Sequence, residues 1–281
     1  MNRRGLAGWV LLAPALLWVM AFFVVPFAVM ALYSVWRREG TQLVREPSLV
    51  NYETFLDKSY LLDALFNSLE ITAITVVLSV LFAYPLAYIL AFLVPRRWQR
   101  LGLILAILPF WTSYLVRSYS WLLVLSENGV ISQTLVTLGL LSETMSFANS
   151  NGATVLGFVH FFTMLLALTI YANLVQISPN YRRAAEDLGA SRLQSFIHVV
   201  LPLSLPGIMI GAFITFVLAI GDYVTPQILG GNRELVMPQA ILLQVQRRAD
   251  FPMASAMSLV LMLVISAVFL ASARWLKMDR V

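Results

Sequence analysis

Residues 178–206 read SPNYRRAAEDLGASRLQSFIHVVLPLSLP, and the way this stretch is punctuated decides the architecture of the chain. Ser178 followed by Pro179 supplies an N-cap and a first-turn proline. They predict a short helix over 180–188 that stops at Gly189, a residue suited to the left-handed C-terminal cap. Ser191-Arg192-Leu193-Gln194 then has the form of a capping box and opens a second helix. Within it, Leu193, Phe196, Ile197, Val200 and Leu201 recur at i, i+3, i+4, i+7 and i+8, which is one apolar stripe. Pro202 and Pro206 are expected to break that helix. The product is a helix–turn–helix lying at a membrane face rather than crossing it. Physically, it reads either as an amphipathic interfacial loop or as a rigid docking element for a soluble partner.

Outward from this elbow the chain is apolar. Of its 281 residues 60% are hydrophobic and 12% charged, with mean hydropathy +0.82, whereas soluble domains carry about 25% charged residues. The apolar residues lie in six blocks, at about 9–35, 65–94, 101–125, 152–177, 205–228 and 253–276. Each is long enough to cross a bilayer core, which needs roughly 20 residues of helix. The expected fold is an all-α membrane protein of six transmembrane helices, a single transmembrane domain over 1–281, with the elbow at 178–203 between spans four and five. The first block is longer than a signal-peptide core of about 7–15 residues, so it reads as a retained anchor. Prolines 14, 26, 85 and 109 fall inside blocks, where a membrane helix tolerates them as kinks. No soluble catalytic domain fits in the loops, and no internal repeat is visible.

Orientation follows from the basic residues. The turn Pro95-Arg96-Arg97-Trp98-Gln99-Arg100 is short and strongly basic, while 126–151 contains no lysine or arginine. With Arg3, Arg4, Lys277 and Arg280 at the two ends, both termini are expected in the cytoplasm. Residues 37–64, which include Arg37, Arg38, Arg45 and Lys58, then form an external loop. A short surface helix is expected over 238–248, with Arg233, Arg247 and Arg248 also outside. The formal charge of +5 thus sets topology and does not call for nucleic acid.

At Arg183-Ala184-Ala185-Glu186-Asp187-Leu188-Gly189-Ala190-Ser191, followed by Val199, Leu201 and Pro202, the sequence resembles the EAA loop of the membrane subunits of bacterial ABC importers. That motif is E-A-A, three residues, G, nine residues, I-x-L-P. Arg183 stands where the family has glutamate and Val199 where it has isoleucine, with Glu186 the nearby acid able to replace the missing one. Leu108-Pro109-Phe110-Trp111-Thr112-Ser113, Gly221-Asp222-Tyr223-Val224-Thr225-Pro226, Gly230-Gly231 and Arg248-Ala249-Asp250-Phe251-Pro252 are similar to the spermidine/putrescine importer permease branch. The resemblance implies a permease for a small polar solute such as a polyamine, or another small organic solute, in the bacterial inner membrane. It implies a second permease subunit, two cytoplasmic ATPases and an external solute-binding protein, with membrane lipid around the chain. ATPase coupling would fall on Arg183, Ala184, Ala185, Glu186, Asp187, Gly189, Leu201 and Pro202. ATP and Mg would sit on the partners, no cofactor or metal on this chain. Consistently, the sequence has no Gly-Lys pair and hence no phosphate-binding loop.

Charges inside a bilayer are costly and usually functional. Arg117 and Asp222 lie at similar depth in the third and fifth blocks, so they are expected either to pair and fix helix packing or to leave Asp222 attracting a cationic solute. Glu70, Trp111, Tyr114 and Tyr223 complete the candidate solute path. His160 reads as a hydrogen-bonded packing residue. The G-x-x-x-G at Gly207 and Gly211 permits close helix approach, either between subunits or within the chain. An intramembrane enzyme is disfavoured by the absence of cysteine and of paired histidines. An ion-coupled carrier is the remaining alternative.

Overall fold

The computed structural model describes residues 12–40, 42–231 and 235–276. Arg3, Arg4, Arg233, Lys277 and Arg280, used above for orientation, lie outside the described residues. In chain order the elements are α1 (Leu12–Ser34), a hairpin of β1 (Arg37–Glu39) and β2 (Gln42–Val44), α2 (Val50–Asp57), α3 (Ser59–Leu93), α4 (Arg96–Ile107), α5 (Tyr114–Leu125), α6 (Val130–Thr137), α7 (Asn151–Leu174), α8 (Pro179–Asp187), α9 (Arg192–Ile220), α10 (Met237–Gln246) and α11 (Phe251–Leu276). Five of these, α1, α3, α7, α9 and α11, are long and apolar enough to cross a membrane. Along α1 the side chains of Leu17, Trp18, Phe22 and Phe23 are exposed, Phe23 by 75%. A helix apolar on every side, with its surface uncovered, requires hydrocarbon rather than water as solvent.

Two blocks depart from expectation, both at prolines. The third is not one helix. After α4, Leu108–Trp111 forms a 3-10 turn, Thr112 and Ser113 are extended, and α5 begins at Tyr114. Pro109 has no N–H to donate back into the helix, and its ring crowds the carbonyl four residues earlier. The carbonyls opened by the break are taken up locally: Thr112 Oγ1 donates to Pro109 O at 2.7 Å, and Arg117 Nη2 donates to Pro109 O at 2.5 Å and Thr112 O at 3.2 Å. The fifth block errs the other way. Pro202 and Pro206 do not break the second elbow helix, which runs unbroken from Arg192 to Ile220. A π turn over Phe196–Val200, with Leu201 N–H bonded to Phe196 O, widens the helix around residue 198, where the Pro202 ring would otherwise clash. The helix then ends at Gly221, so Asp222 lies beyond it.

The described residues form two compact units, one running up to residue 62 and including 239–264, the other comprising 63–238 with the described residues from 265 on. In the first, the segment expected as an external loop contains the antiparallel hairpin, Arg37 paired with Val44 and Glu39 with Gln42, so the fold is not purely helical. Asn51 Nδ2 donates to Ser34 O at 2.9 Å and Trp36 O at 2.6 Å, fixing α2 to the end of α1. Asp250 Oδ1 accepts Met253 N–H and caps α11.

In the second unit, α7 and α9 pack along their length. An added Cβ at Gly207 would lie 2.5 Å from Asn173 Cβ, and one at Gly211 would lie 2.3 Å from Leu166 Cδ1. The G-x-x-x-G therefore serves packing within the chain. Beside it, Ala83, Tyr84 and Ala87 of α3, Leu166, Ala167, Ile170 and Leu174 of α7 and Val200 of α9 form one buried core. Gly211→Val is expected to cost about 1–3 kcal/mol by overpacking, read as a lower thermal midpoint of the purified protein.

Candidate functional site

The elbow is built by its caps. Ser178 Oγ accepts Asn180 N–H, starting α8. At its end Gly189 takes φ +86°, while Ala190 N–H reaches Ala185 O at 3.0 Å and Gly189 N–H reaches Glu186 O at 2.9 Å. These two bonds form a Schellman motif, which needs the left-handed residue between them. The capping box opens α9, with Ser191 Oγ accepting Gln194 N–H and Gln194 Oε1 accepting Ser191 N–H. The turn so held presents Arg183, Ala184, Glu186, Asp187 and Gly189 to solvent, with Ala185 half-buried. Leu188 is 89% exposed, and a recess of about 400 Å³ beside it is lined by Ala185, Leu188, Gly189, Gln194, His198 and Val199. The apolar stripe is only partly covered. Val200 is buried and Phe196 and Leu201 half-buried, as is Pro202, while Leu193 and Ile197 stay exposed.

The root of the elbow is tied to α3 by aromatic edges. The Phe196 ring meets Tyr88 at 5.4 Å and Tyr84 at 5.9 Å, both edge-on, and Arg182 Cζ lies 5.2 Å from the Phe92 ring centroid. Tyr84 OH and Ser204 Oγ, 3.0 Å apart, share a hydrogen bond. Displacement of the elbow is thus felt by α3 as well as by α9. Phe196 was visible in the sequence only as a stripe residue; its packing across to α3 has no local signature.

The second candidate region gathers around Asp222. Its Oδ1 accepts Val224 N–H at 2.8 Å, and its Oδ2 accepts the hydroxyls of Thr225, at 2.8 Å, and of Tyr114, whose oxygens also lie against each other. The pairing of Arg117 with Asp222 is not among the ion pairs formed by the described residues. The guanidinium instead holds the broken end of the third block and lies 5.2 Å from the Phe161 ring centroid, whose ring meets Tyr114 at 5.2 Å. Of the other path candidates Glu70 and Tyr223 are exposed, and Trp111 is 80% exposed. Thr225 was missed, although an Asp three residues before a Thr at the start of a helical turn is a capping pattern that a closer reading finds. Trp121 Nε1 donates to His160 Nδ1 at 2.9 Å, the packing role expected for that histidine. A cleft of about 310 Å³ lies here, lined by Thr112, Val116, Arg117, Ser120, Trp121, Val124 and His160.

Comparison with known proteins adds the relatives of this arrangement. Residues 83–278 match the family described as binding-protein-dependent transport system inner membrane component. The chain is 30% identical over 254 residues to the spermidine/putrescine transport system permease protein PotB of Escherichia coli (strain K12), covering 90% of this chain and 92% of that one. In fold it is similar to a chain of a bacterial ABC transporter involved in import of the acidic polysaccharide alginate, with TM-score 0.77, 15% identity, and coverage of 99% and 98%. A second structure, of the bacterial alginate ABC transporter in complex with an alginate pentasaccharide-bound periplasmic protein, superposes with TM-score 0.75 at 15% identity and the same coverage.

Proposed function

Because the chain belongs to the inner membrane component family of binding-protein-dependent transport systems, a family of transport components rather than enzymes, we propose that it is the permease subunit of an ATP-driven importer of a polyamine such as spermidine or putrescine. The solute assignment rests on the relation to PotB along nearly the whole chain. The coupling assignment rests on one observation: a turn capped at both helix starts and closed by a Schellman motif that leaves Leu188 in solvent beside an open recess. Side chains presented so rigidly, without cover of their own, suit a docking contact.

In this reading residues 1–281 form one transmembrane permease domain with six crossings. The third crossing is the broken pair α4 and α5 joined by Leu108–Trp111; irregular backbone is tolerated at membrane depth where protein groups satisfy it. The elbow and both termini face the cytoplasm. Two ATPase subunits carry ATP and Mg, a second permease completes the path, and an external binding protein delivers the solute. Arg183, Ala184, Ala185, Glu186, Asp187 and Gly189 line the ATPase contact, and Leu201 and Pro202 pass its movement into α9. Asp222, Tyr114, Tyr223, Trp111, Glu70 and Arg117 belong to the solute path, with Asp222 supplying negative charge and Arg117 holding the kink. The permease makes and breaks no covalent bond; it offers two cavity states whose relative stability the ATPases bias.

Orientation has a direct test, since the chain has no cysteine to give background. R97C, at an exposed position of the basic turn 95–100, is expected in sealed cells to resist a membrane-impermeant thiol reagent and to react once the membrane is opened; labelling from outside would invert the topology. The whole function is tested by co-purifying the permease pair with its ATPases, reconstituting it, and measuring ATP-dependent spermidine uptake with the binding protein. Uptake that persists without ATPase but collapses with the ion gradient would establish a carrier instead.

A further inference from the structure

The carboxylate that is to attract a cation is already occupied. Asp222 accepts from three donors, two of them hydroxyls, and one of these, Tyr114, comes from a different helix. Asp222 is half-buried, and the cavity it lines with Ser68, Thr72, Phe158 and Pro226 holds only about 10 Å³. That is room for at most one water. The solute-sized volume lies elsewhere, in the cleft of about 310 Å³, whose wall has Arg117 and no acidic residue. Phe161 carries Tyr114 on one contact and Arg117 on another, 5.2 Å to each. An amine entering the cleft therefore meets a positive charge, while the matching negative charge sits behind the Tyr114 hydroxyl.

We propose that Tyr114 is a positioning residue that closes Asp222 to a cationic solute, and that binding requires an ammonium N–H to replace the Tyr114 O–H as donor to Oδ2. The exchange moves no covalent bond. Its driving force is the Coulomb attraction between ammonium and carboxylate, which a neutral hydroxyl donor does not supply. Because Tyr114 is the first residue of α5, just after the extended pair Thr112-Ser113, its release lets α5 shift at a point where the backbone is already interrupted. Cation binding and loosening of the third crossing then become one event. The closed arrangement keeps the carboxylate from holding a cation when the path should be empty. This inference rests on the polyamine reading above and adds the residue that gates it.

The test is equilibrium binding of radiolabelled spermidine to the purified complex of permeases and ATPases, with uptake turnover measured in proteoliposomes carrying the binding protein. Removing one competing hydrogen bond to the carboxylate in Y114F is expected to tighten Kd about tenfold or more and to slow turnover, because release is hindered. In the D222N background the same change should leave Kd unmoved, since the group it uncovers has lost its charge. T225V, which removes the other hydroxyl, should tighten Kd in the same direction and serves if Y114F fails to assemble. A purely structural tyrosine would instead weaken binding and assembly together. Spermidine bound by the wild type with unchanged or weaker Kd in both Y114F and T225V overturns this inference alone. A wild-type complex that neither binds nor takes up spermidine overturns the solute reading and this inference with it.

Discussion

Leu188→Glu is expected to abolish uptake while leaving the permease folded and at its normal level in the membrane. The side chain is 89% exposed, so the isolated subunit loses almost no burial when it is replaced. The whole effect then falls on whatever covers Leu188 in the assembly. If an ATPase closes over the recess between Ala185 and Val199, a carboxylate there is desolvated without a partner. Central apolar contacts of this kind carry about 2 kcal/mol or more of association energy, a loss of at least roughly 30-fold in affinity. Co-purification of the ATPase with the permease measures this directly. Unchanged co-purification together with unchanged uptake would show that the elbow tip touches no partner.

Asp222→Asn is expected to lower solute affinity by about 10- to 100-fold, the range for losing a hydrogen bond to a charged group. Its shape argument is favourable. Asparagine keeps an acceptor for Val224 N–H, and its amide can donate to the hydroxyls of Tyr114 and Thr225, which accept as readily as they donate. The local fold is thereby retained while the negative charge is lost. Thermal stability and recovery of the complex should match the wild type, and binding of spermidine should not. Equal loss of assembly and binding would make Asp222 a packing residue, and normal uptake would remove it from the path.

The relation to the alginate transporter sets a limit that these experiments respect. A chain involved in importing an acidic polysaccharide and this chain share a fold at 15% identity, so the fold is no guide to the charge of the solute. In the reading proposed above, specificity comes from side chains such as Asp222, Tyr114 and Arg117.

How far those side chains were readable from sequence differs by residue. Ser178, Gly189, Ser191 and Gln194 declare the elbow because capping is local: donor and acceptor lie within five residues of one another. His160 was assigned a sound role in kind, though its partner was not visible, whereas Pro109, expected only to kink the third block, breaks it. Pro202 misled, since the rule that proline stops a helix holds only where the turn cannot widen, and the π turn at Phe196–Val200 widens it. Arg117 and Asp222 were matched by depth along two supposed helices. Breaks at Pro109 and Gly221 then aimed one at a carbonyl and the other at a tyrosine.

Composition and local order alone therefore determined that this chain lives in a bilayer, where its long apolar segments lie, and that a capped elbow stands between the fourth and fifth of them. Those properties depend on the number of consecutive apolar residues and on hydrogen bonds made within one helical turn. The tertiary structure decided that Gly207 and Gly211 face Asn173 and Leu166, that Phe196 ties the elbow to Tyr84 and Tyr88, and that Tyr114 hydrogen-bonds Asp222. Each of these joins residues more than thirty positions apart, and which helix faces meet is set by packing the whole bundle at once.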